Sequence, residues 1–314
     1  MNLGENMNKI GIVILNYNAY KETSECVESI RGKTSESCEI VIVDNGSQDE
    51  SGKQLKSKYE DVKEISVLIN EDNLGFSKGM NVGFRYLKNV KKCSFICLSN
   101  CDVILNSEGL EERIISDYEK YNVAVIGPNI LTDAPGEVGK NPSYKDMLTP
   151  KEELAILELM EKYRQKRDKL ARAKILGVYE FARMQKNKIL AIVRPNQKAR
   201  LVEQERLKEF HDRMAGDVAL NGAFLIFTPL FVKMFDGLEE ITFLYGEEWL
   251  LYNRCKEAGI KMMYDPEIMI NHIGDNTFSK KSKSMNEHHL SKSAYEHEKY
   301  VALKKYIRKK YNID

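Results

Sequence analysis

The sequence predicts an α/β protein: a mixed, mostly parallel sheet flanked by helices, with a long basic helical insertion and a helical C-terminal tail. Continuous β-branched runs at Lys9 to Leu15 and Glu39 to Val43 are the pattern of strands buried on both faces. Between them, Cys26, Val27 and Ile30 recur at helical spacing within Glu22 to Arg31, which gives a strand, helix, strand unit long enough for a right-handed crossover. After about Asp133 the strand signals stop and charged helical periodicity runs to about Gly216.

The elements follow in order. Ile65 to Ile69 is a third strand, Ser77 to Asn89 a helix, Cys93 to Ser99 a fourth strand and Ala124 to Gly127 a fifth. Pro135, Gly136, Gly139 and Pro142 then mark a loop. From Glu161 to Arg200 there are 13 Lys or Arg against 3 Asp or Glu, interleaved with Leu170, Ile175, Leu176, Tyr179, Phe181, Ile189, Leu190, Ile192 and Val193. That mixture suits either a solvated helical insertion or a basic amphipathic surface resting on anionic lipid. Strand character returns at Ala223 to Phe227, followed by an acidic loop, a helix from Glu248 to Ala258 and a strand at Lys261 to Tyr264. A basic helix over Val301 to Tyr311 is a second candidate for lipid contact. The chain thus divides at residues 8–132, 133–216, 217–275 and 276–314.

Bulk composition narrows the function classes. With 42% apolar and 30% charged residues the 314-residue chain has the balance of a globular protein, and a net charge of +1 gives no overall attraction to nucleic acid. The polar Met1 to Lys9 segment leads directly into a strand, and this pattern predicts no secretory signal. The longest mainly apolar stretch, Ala219 to Val232, is too short to cross a bilayer. Six scattered cysteines form no Cys-x-x-Cys pair, which fits a reducing cytoplasm. The four-residue spacing of Cys93, Cys97 and Cys101 suits packing on a strand better than a metal site on a helix.

Three polar clusters fall directly after strands: Asn16-Tyr17-Asn18, Asp44-Asn45-Gly46-Ser47 and Asn100-Cys101-Asp102. Any one alone reads as a turn; three at consecutive strand ends of one sheet predict a ligand edge. Asp102 is placed there to hold a divalent cation or a phosphate-bearing ligand. In Asn73-Leu74-Gly75-Phe76, continuing to Asn81, glycines ahead of a helix let backbone amides approach phosphate. The spacing is neither a Walker loop nor a dinucleotide motif. Glu247 and Glu248, beside Trp249, could favour a helix N-terminus or act as a general base. His272 could add an imidazole to a metal, while His288, His289 and His297 read as surface residues of the tail.

Taken in order, Ile12 to Asn18, Ile42 to Ser47, Asn73 to Phe76 with Asn81 and Gly83, Leu98 to Asp102, Gly222-Ala223-Phe224, Phe243 to Glu248, Arg254 with Ala258-Gly259, and His272 with Gly274 resemble the family 2 glycosyltransferases of the GT-A fold, of the rhamnosyltransferase-like type that serves bacterial polysaccharide synthesis. The resemblance implies that Asn16 and Asn18 border a nucleotide pocket and Asp44 contacts the base. It also implies that Asn73, Gly75, Phe76, Asn81 and Asn100 serve the nucleotide, with Asn81 near the ribose or diphosphate. Asp102 would reach Mg²⁺ or Mn²⁺ with His272 beside it, Glu248 would be the catalytic base, and Glu247 would orient the acceptor. Asn100 stands where the family's metal motif usually has Asp, and Glu248 where Asp is more usual. The implied reaction is inverting transfer of a sugar from a nucleotide-diphosphate sugar to a saccharide or lipid-linked saccharide. It would occur in the cytoplasm, peripheral to an anionic membrane surface and without nucleic acid. A non-catalytic nucleotide-sugar-binding protein is the alternative of a different class; a nucleotidyltransferase lacks the Gly- and Arg-rich phosphate loop it would need after the first strand.

Overall fold

Side-chain parity along the first strand sets the layering. In β1 (Ile10–Asn16), Ile10, Ile12 and Ile14 face one side and Val13 the other, the two-residue period of a pleated strand. The isoleucines pack with Cys26, Val27 and Ile30 of α1 (Tyr20–Arg31). Val13 packs into the cluster of Met80, Phe84 and Leu87 from α3 (Phe76–Asn89). Helices therefore cover both faces, which is why β1 and β2 (Glu39–Asp44) are unbroken apolar runs between their polar ends, over Ile10 to Leu15 and Ile40 to Val43.

The computed structural model describes residues 8–131, 141–143, 148–193, 215–273 and 284–313, with side chains from 185 to 193 left aside. The predicted loop residues Asp133, Pro135, Gly136 and Gly139, the basic segment 194–200 and Gly274 lie outside the described residues. The remaining strands are β3 (Ile65–Ile69), β4 (Phe95–Asn100), β5 (Val103–Leu105), β6 (Val125–Leu131), β7 (Ala215–Gly216), β8 (Phe224–Phe227) and β9 (Met262–His272). They form one sheet in the order β3-β2-β1-β4-β8-β6-β9-β5, with β7 beside β9. The longest ladders, β1 with β2 and β4, and β6 with β9, are parallel. β8 runs antiparallel between β4 and β6, and β5 antiparallel to β9. The predicted α/β class with helix-flanked sheet is thus the class of the structure.

Several boundaries differ from expectation for physical reasons. The strand expected at Lys261 to Tyr264 continues through Pro266 to His272, so His272 ends this same strand. Proline lacks an N–H, and the ladder accommodates it by shifting register between Pro128 and Asn129 of the partner strand. β5 and β7 span three and two residues, too few for periodicity to register. Cys93, Cys97 and Cys101 are free thiols; Cys97 lies in β4, and burial raises the Cys93 thiol to about 12, which makes it inert packing.

The other helices are α2 (Ser51–Lys58), α4 (Leu110–Tyr121), α5 (Pro150–Arg172), α6 (Leu176–Val193), α7 (Pro229–Met234), α8 (Glu247–Glu257) and α9 (Met285–Tyr311). Contacts separate the chain into an α/β unit, Met1–Met147 with Phe210–Gly274, and a helical unit, Leu148–Glu209 with Asp275–Asp314. In the helical unit, α5 starts at a capping box. Thr149 N donates to Glu152 at 2.9 Å and Glu152 N donates to Thr149 Oγ1 at 3.4 Å, with Pro150 in the first turn. A buried polar network joins α5 to α9: Ser293 Oγ donates to Asp168 at 2.7 Å, Arg164 donates to Asp168 at 2.6 Å, and His289 Nε2 lies 2.7 Å from the same carboxylate. His289 is therefore buried in this network, not a surface residue as expected from its polar surroundings.

In the α/β unit, α4 is tied to β9 by a charge cluster. Arg113 donates two hydrogen bonds to the buried Asp265, at 2.6 and 3.1 Å, and its Nε lies 3.7 Å from Asp117. Burial, then the hydrogen bond with Asp265 and its charge, push Asp117 up to about 7. Between the ordinary carboxylate value and 7 the folded protein holds a proton that the unfolded chain has released, so stability falls as pH rises through that window. Wild-type Tm should fall between pH 5 and 7 by an amount that Asp117→Asn removes, at most about 1.4 kcal/mol per pH unit, or roughly 2–4 °C. Equal pH slopes in thermal denaturation of the two proteins would contradict this.

Candidate active site

The three polar clusters lie at the carboxyl ends of β1, β2 and β4, which are neighbours in the sheet. The first two are knitted together. Asn16, fully buried, donates to Asp44 Oδ1 at 2.6 Å and to Ser51 Oγ at 2.9 Å, and accepts from Thr23 Oγ1 at 2.7 Å. Ser47 Oγ donates to Asp44 at 2.5 Å, and Asn18 N donates to Ser47 Oγ at 2.8 Å. Asn18 sits at φ 52° and its side chain accepts from Gln48 N at 2.8 Å, so the loops after β1 and β2 share one frame. Asp44 is 2% exposed: its carboxylate holds these loops in shape.

Asn45, within the second cluster, fixes the next loop. Its Nδ2 donates to Asn73 Oδ1 at 2.9 Å and Gly75 O at 3.0 Å, while its Oδ1 accepts from Leu74 N and Asn70 Nδ2 at 3.1 Å. Gly75 has φ +81°, and a Cβ there would stand 2.4 Å from Phe243 O. Only glycine meets both demands. Phe76 N then donates to that same Phe243 oxygen at 2.7 Å, so the loop before α3 is seated on the segment leading to Glu247 and Glu248.

Asn81, which the resemblance places near the ribose or diphosphate, is bonded to the acidic loop. It is fully buried; its Nδ2 donates to Leu238 O and Glu240, each at 2.9 Å, and its Oδ1 accepts from Leu238 N at 2.7 Å. With the amide so engaged, Asn81 pins the acidic loop to α3.

The third cluster meets the carboxylate pair through the sheet. Asn100 N donates to Ala223 O at 2.9 Å, at the end of the β4–β8 ladder where Ser99 faces Phe224. One residue earlier, Gly222 N donates to Glu248 Oε1 at 3.2 Å. A Cβ on Gly222 would stand 3.1 Å from Glu247 Oε1 and 3.2 Å from Glu248 Oε1, so both carboxylates flank this backbone. Asn141 braces the turn, accepting from Asn221 N at 2.7 Å and donating to Pro128 O at 2.8 Å. Glu247 is buried and Glu248 half-buried in the first turn of α8, where the helix dipole favours negative charge.

Asp102 meets His272 across the pairing of β5 with β9, where Val103 faces His272. His272 Nε2 lies 3.2 Å from Asp102 Oδ1, with both side chains about 15% exposed, and Ile273 N donates to Asp102 O at 3.1 Å. No cluster of three or more His, Cys, Asp or Glu side chains suited to a metal occurs among the described residues. Asp102 and His272 supply one oxygen and one nitrogen donor at this edge.

A sequence profile of the family described as "Glycosyl transferase family 2" matches residues 11–191. The chain is 30% identical over 154 residues to the glycosyltransferase GlyG of Streptococcus pneumoniae serotype 4, covering 49% of each chain. It is 26% identical over 142 residues to the low-salt glycan biosynthesis hexosyltransferase Agl10 of Haloferax volcanii, covering 45% of this chain and 43% of that one. The chain spans about half the length of the curated relatives it matches. Among solved structures, residues 1–349 of S. aureus TarS in complex with UDP align at a TM-score of 0.37 with 21% identity, over 44% of this chain and 39% of that one.

Removing the Asn16 amide leaves Asp44 short of a buried donor, which costs about 1–3 kcal/mol. Asn16→Ala should lower the denaturant midpoint by that amount; a change under about 0.5 kcal/mol, within the range of surface substitutions, would show that the frame does not depend on it.

Proposed function

The chain belongs to glycosyl transferase family 2, and on that premise we propose that it moves a sugar from a nucleotide-diphosphate sugar to a saccharide or lipid-linked saccharide in polysaccharide synthesis, with inversion at the anomeric carbon. The observation that carries this reading is the pair of backbone hydrogen bonds, Asn100 N to Ala223 O and Gly222 N to Glu248, which join a strand-edge ligand cluster to a carboxylate pair. Matches to proteins named as a glycosyltransferase and a glycan-biosynthesis hexosyltransferase support the same class, and hexosyl transfer is the proposed form.

In this mechanism the frame of Asn16, Asn18, Asp44 and Ser47 shapes the nucleotide end of the pocket. Asn100 and the backbone of Asn73 to Phe76 line its phosphate side. Asp102, with His272, would hold Mg²⁺ or Mn²⁺, which supplies charge against the diphosphate. Asn100 in place of a carboxylate gives that side one negative charge fewer. Glu248, oriented by the Gly222 N–H, accepts the proton of the acceptor hydroxyl as its oxygen bonds to the anomeric carbon. The bond from that carbon to the diphosphate oxygen breaks, and its electron pair leaves with the nucleoside diphosphate. Half-burial suits Glu248 for this role better than the buried Glu247, which is assigned to orient the acceptor. The acceptor is proposed to be presented at the cytoplasmic face of a membrane.

Turnover on a panel of sugar nucleotides with Mg²⁺ or Mn²⁺ tests the proposal through release of nucleoside diphosphate. Glu248→Gln should cut transfer about 10²- to 10⁴-fold, the usual contribution of a general base, with nucleotide affinity unchanged within about threefold. Wild-type turnover in that variant would remove the base assignment. Nucleotide binding without diphosphate release by the wild type would leave only a binding protein.

A further inference from the structure

Charge is distributed very unevenly between the two units. Met1–Met147 with Phe210–Gly274 contain 22 Lys or Arg against 33 Asp or Glu, whereas Leu148–Glu209 with Asp275–Asp314 contain 26 against 14. A near-neutral chain therefore carries a helical unit of net +12. At the C-terminal end of α9, Val301, Lys304, Lys305, Arg308 and Lys309, with Ile313 just beyond the helix, line a shallow hollow of about 630 Å³. Lys304 and Arg308 are paired with Glu161 and Glu158 of α5. Lys305 and Lys309 are exposed and have no acidic partner among the described residues.

The same unit leaves large apolar side chains in water. Leu159 and Met160 of α5 are 63% and 44% exposed, and Val178, Phe181 and Met184 of α6 are 71%, 60% and 46% exposed. The two helices meet at Arg167 with Glu180 and at Lys166 with Tyr179, so cationic side chains interleave with the apolar ones. Exposed apolar groups in a strongly cationic helical surface are what an interfacial helix presents to a bilayer. No helix among the described residues is long and apolar enough to cross a membrane.

We propose that the helical unit docks on an anionic lipid bilayer, with Val178 and Phe181 entering the acyl boundary and Lys305 and Lys309 receiving phosphate-bearing headgroups. Positive charge at this density selects a negative surface, and the apolar groups select a bilayer over a soluble anion. This deepens the proposed function by giving the acceptor's site of presentation a lipid chemistry, and it rests on that reading for its purpose only.

Co-sedimentation of the full chain with vesicles of phosphatidylcholine alone, or with 30% phosphatidylglycerol as an experimental composition, tests it. The wild type should bind the anionic vesicles at least about tenfold more tightly, and 0.5 M NaCl should weaken that binding, because exposed charges are screened at such salt. Val178→Ser with Phe181→Ser, which leaves charge unchanged, and separately Lys305→Gln with Lys309→Gln, should each reduce binding about tenfold while leaving diphosphate release on soluble substrates intact. Equal binding to both vesicles, or an unchanged affinity in either double variant, overturns the proposal. So does a concentration-dependent dimer in light scattering that Val178→Ser with Phe181→Ser abolishes, because a second copy then covers the patch. Diphosphate release is read separately, so failure of docking and failure of the transferase reading are distinguishable.

Discussion

The antiparallel insertion of β8 beside β4 is the constraint from which the site follows. Without it, the segment carrying Glu248 would have no fixed relation to the strand ending at Asn100. The ladder places Phe224 opposite Ser99, and the hydrogen bond from Asn100 N to Ala223 O closes its end. Register then determines everything next to it, because a one-residue slip would exchange the faces of Phe224 and Leu225. These residues belong to the two opposite cores of the sheet, so burial on both sides holds the register.

Around that ladder, polar side chains are used to fix loops. Asn16, Asp44, Asn45, Asn81 and Asn141 are all buried and bonded to backbone or to one another. A buried amide that satisfies several loop groups is costly to disturb, since each lost partner leaves a desolvated dipole. Such a frame presents Asn18, Asn100, Asp102 and Glu248 in defined positions. A pocket that must distinguish transition state from ground state needs that preorganisation.

Much of this was legible in the sequence, and the limits are physical. Strands such as Ile10–Asn16 announce themselves because burial on both faces demands unbroken β-branched residues. The clusters after β1, β2 and β4 could be assigned to one edge because parallel strands end on the same side. What could not be read was non-local: the seating of Gly75 on Phe243, the bracing of Asn221 by Asn141, and the extension of β9 through Pro266 to His272. Asn81 illustrates the difference. Its place in the ordered motifs marked it as important, but only the fold reveals that its amide is engaged by Leu238 and Glu240. Likewise the basic insertion was evident from composition, whereas the exposure of Phe181 and Val178 depends on packing.

A crystal structure with an unreactive sugar-nucleotide analogue and Mn²⁺ tests the proposed site most directly. The diphosphate should lie against Asp102 and His272, with the anomeric carbon toward the Glu248 carboxylate and the nucleotide beside the loops that Asn16 and Asp44 hold. A diphosphate bound away from the Asn100 to Asp102 edge, or a sugar turned away from Glu248, would contradict the assignment of both carboxylates to one reaction.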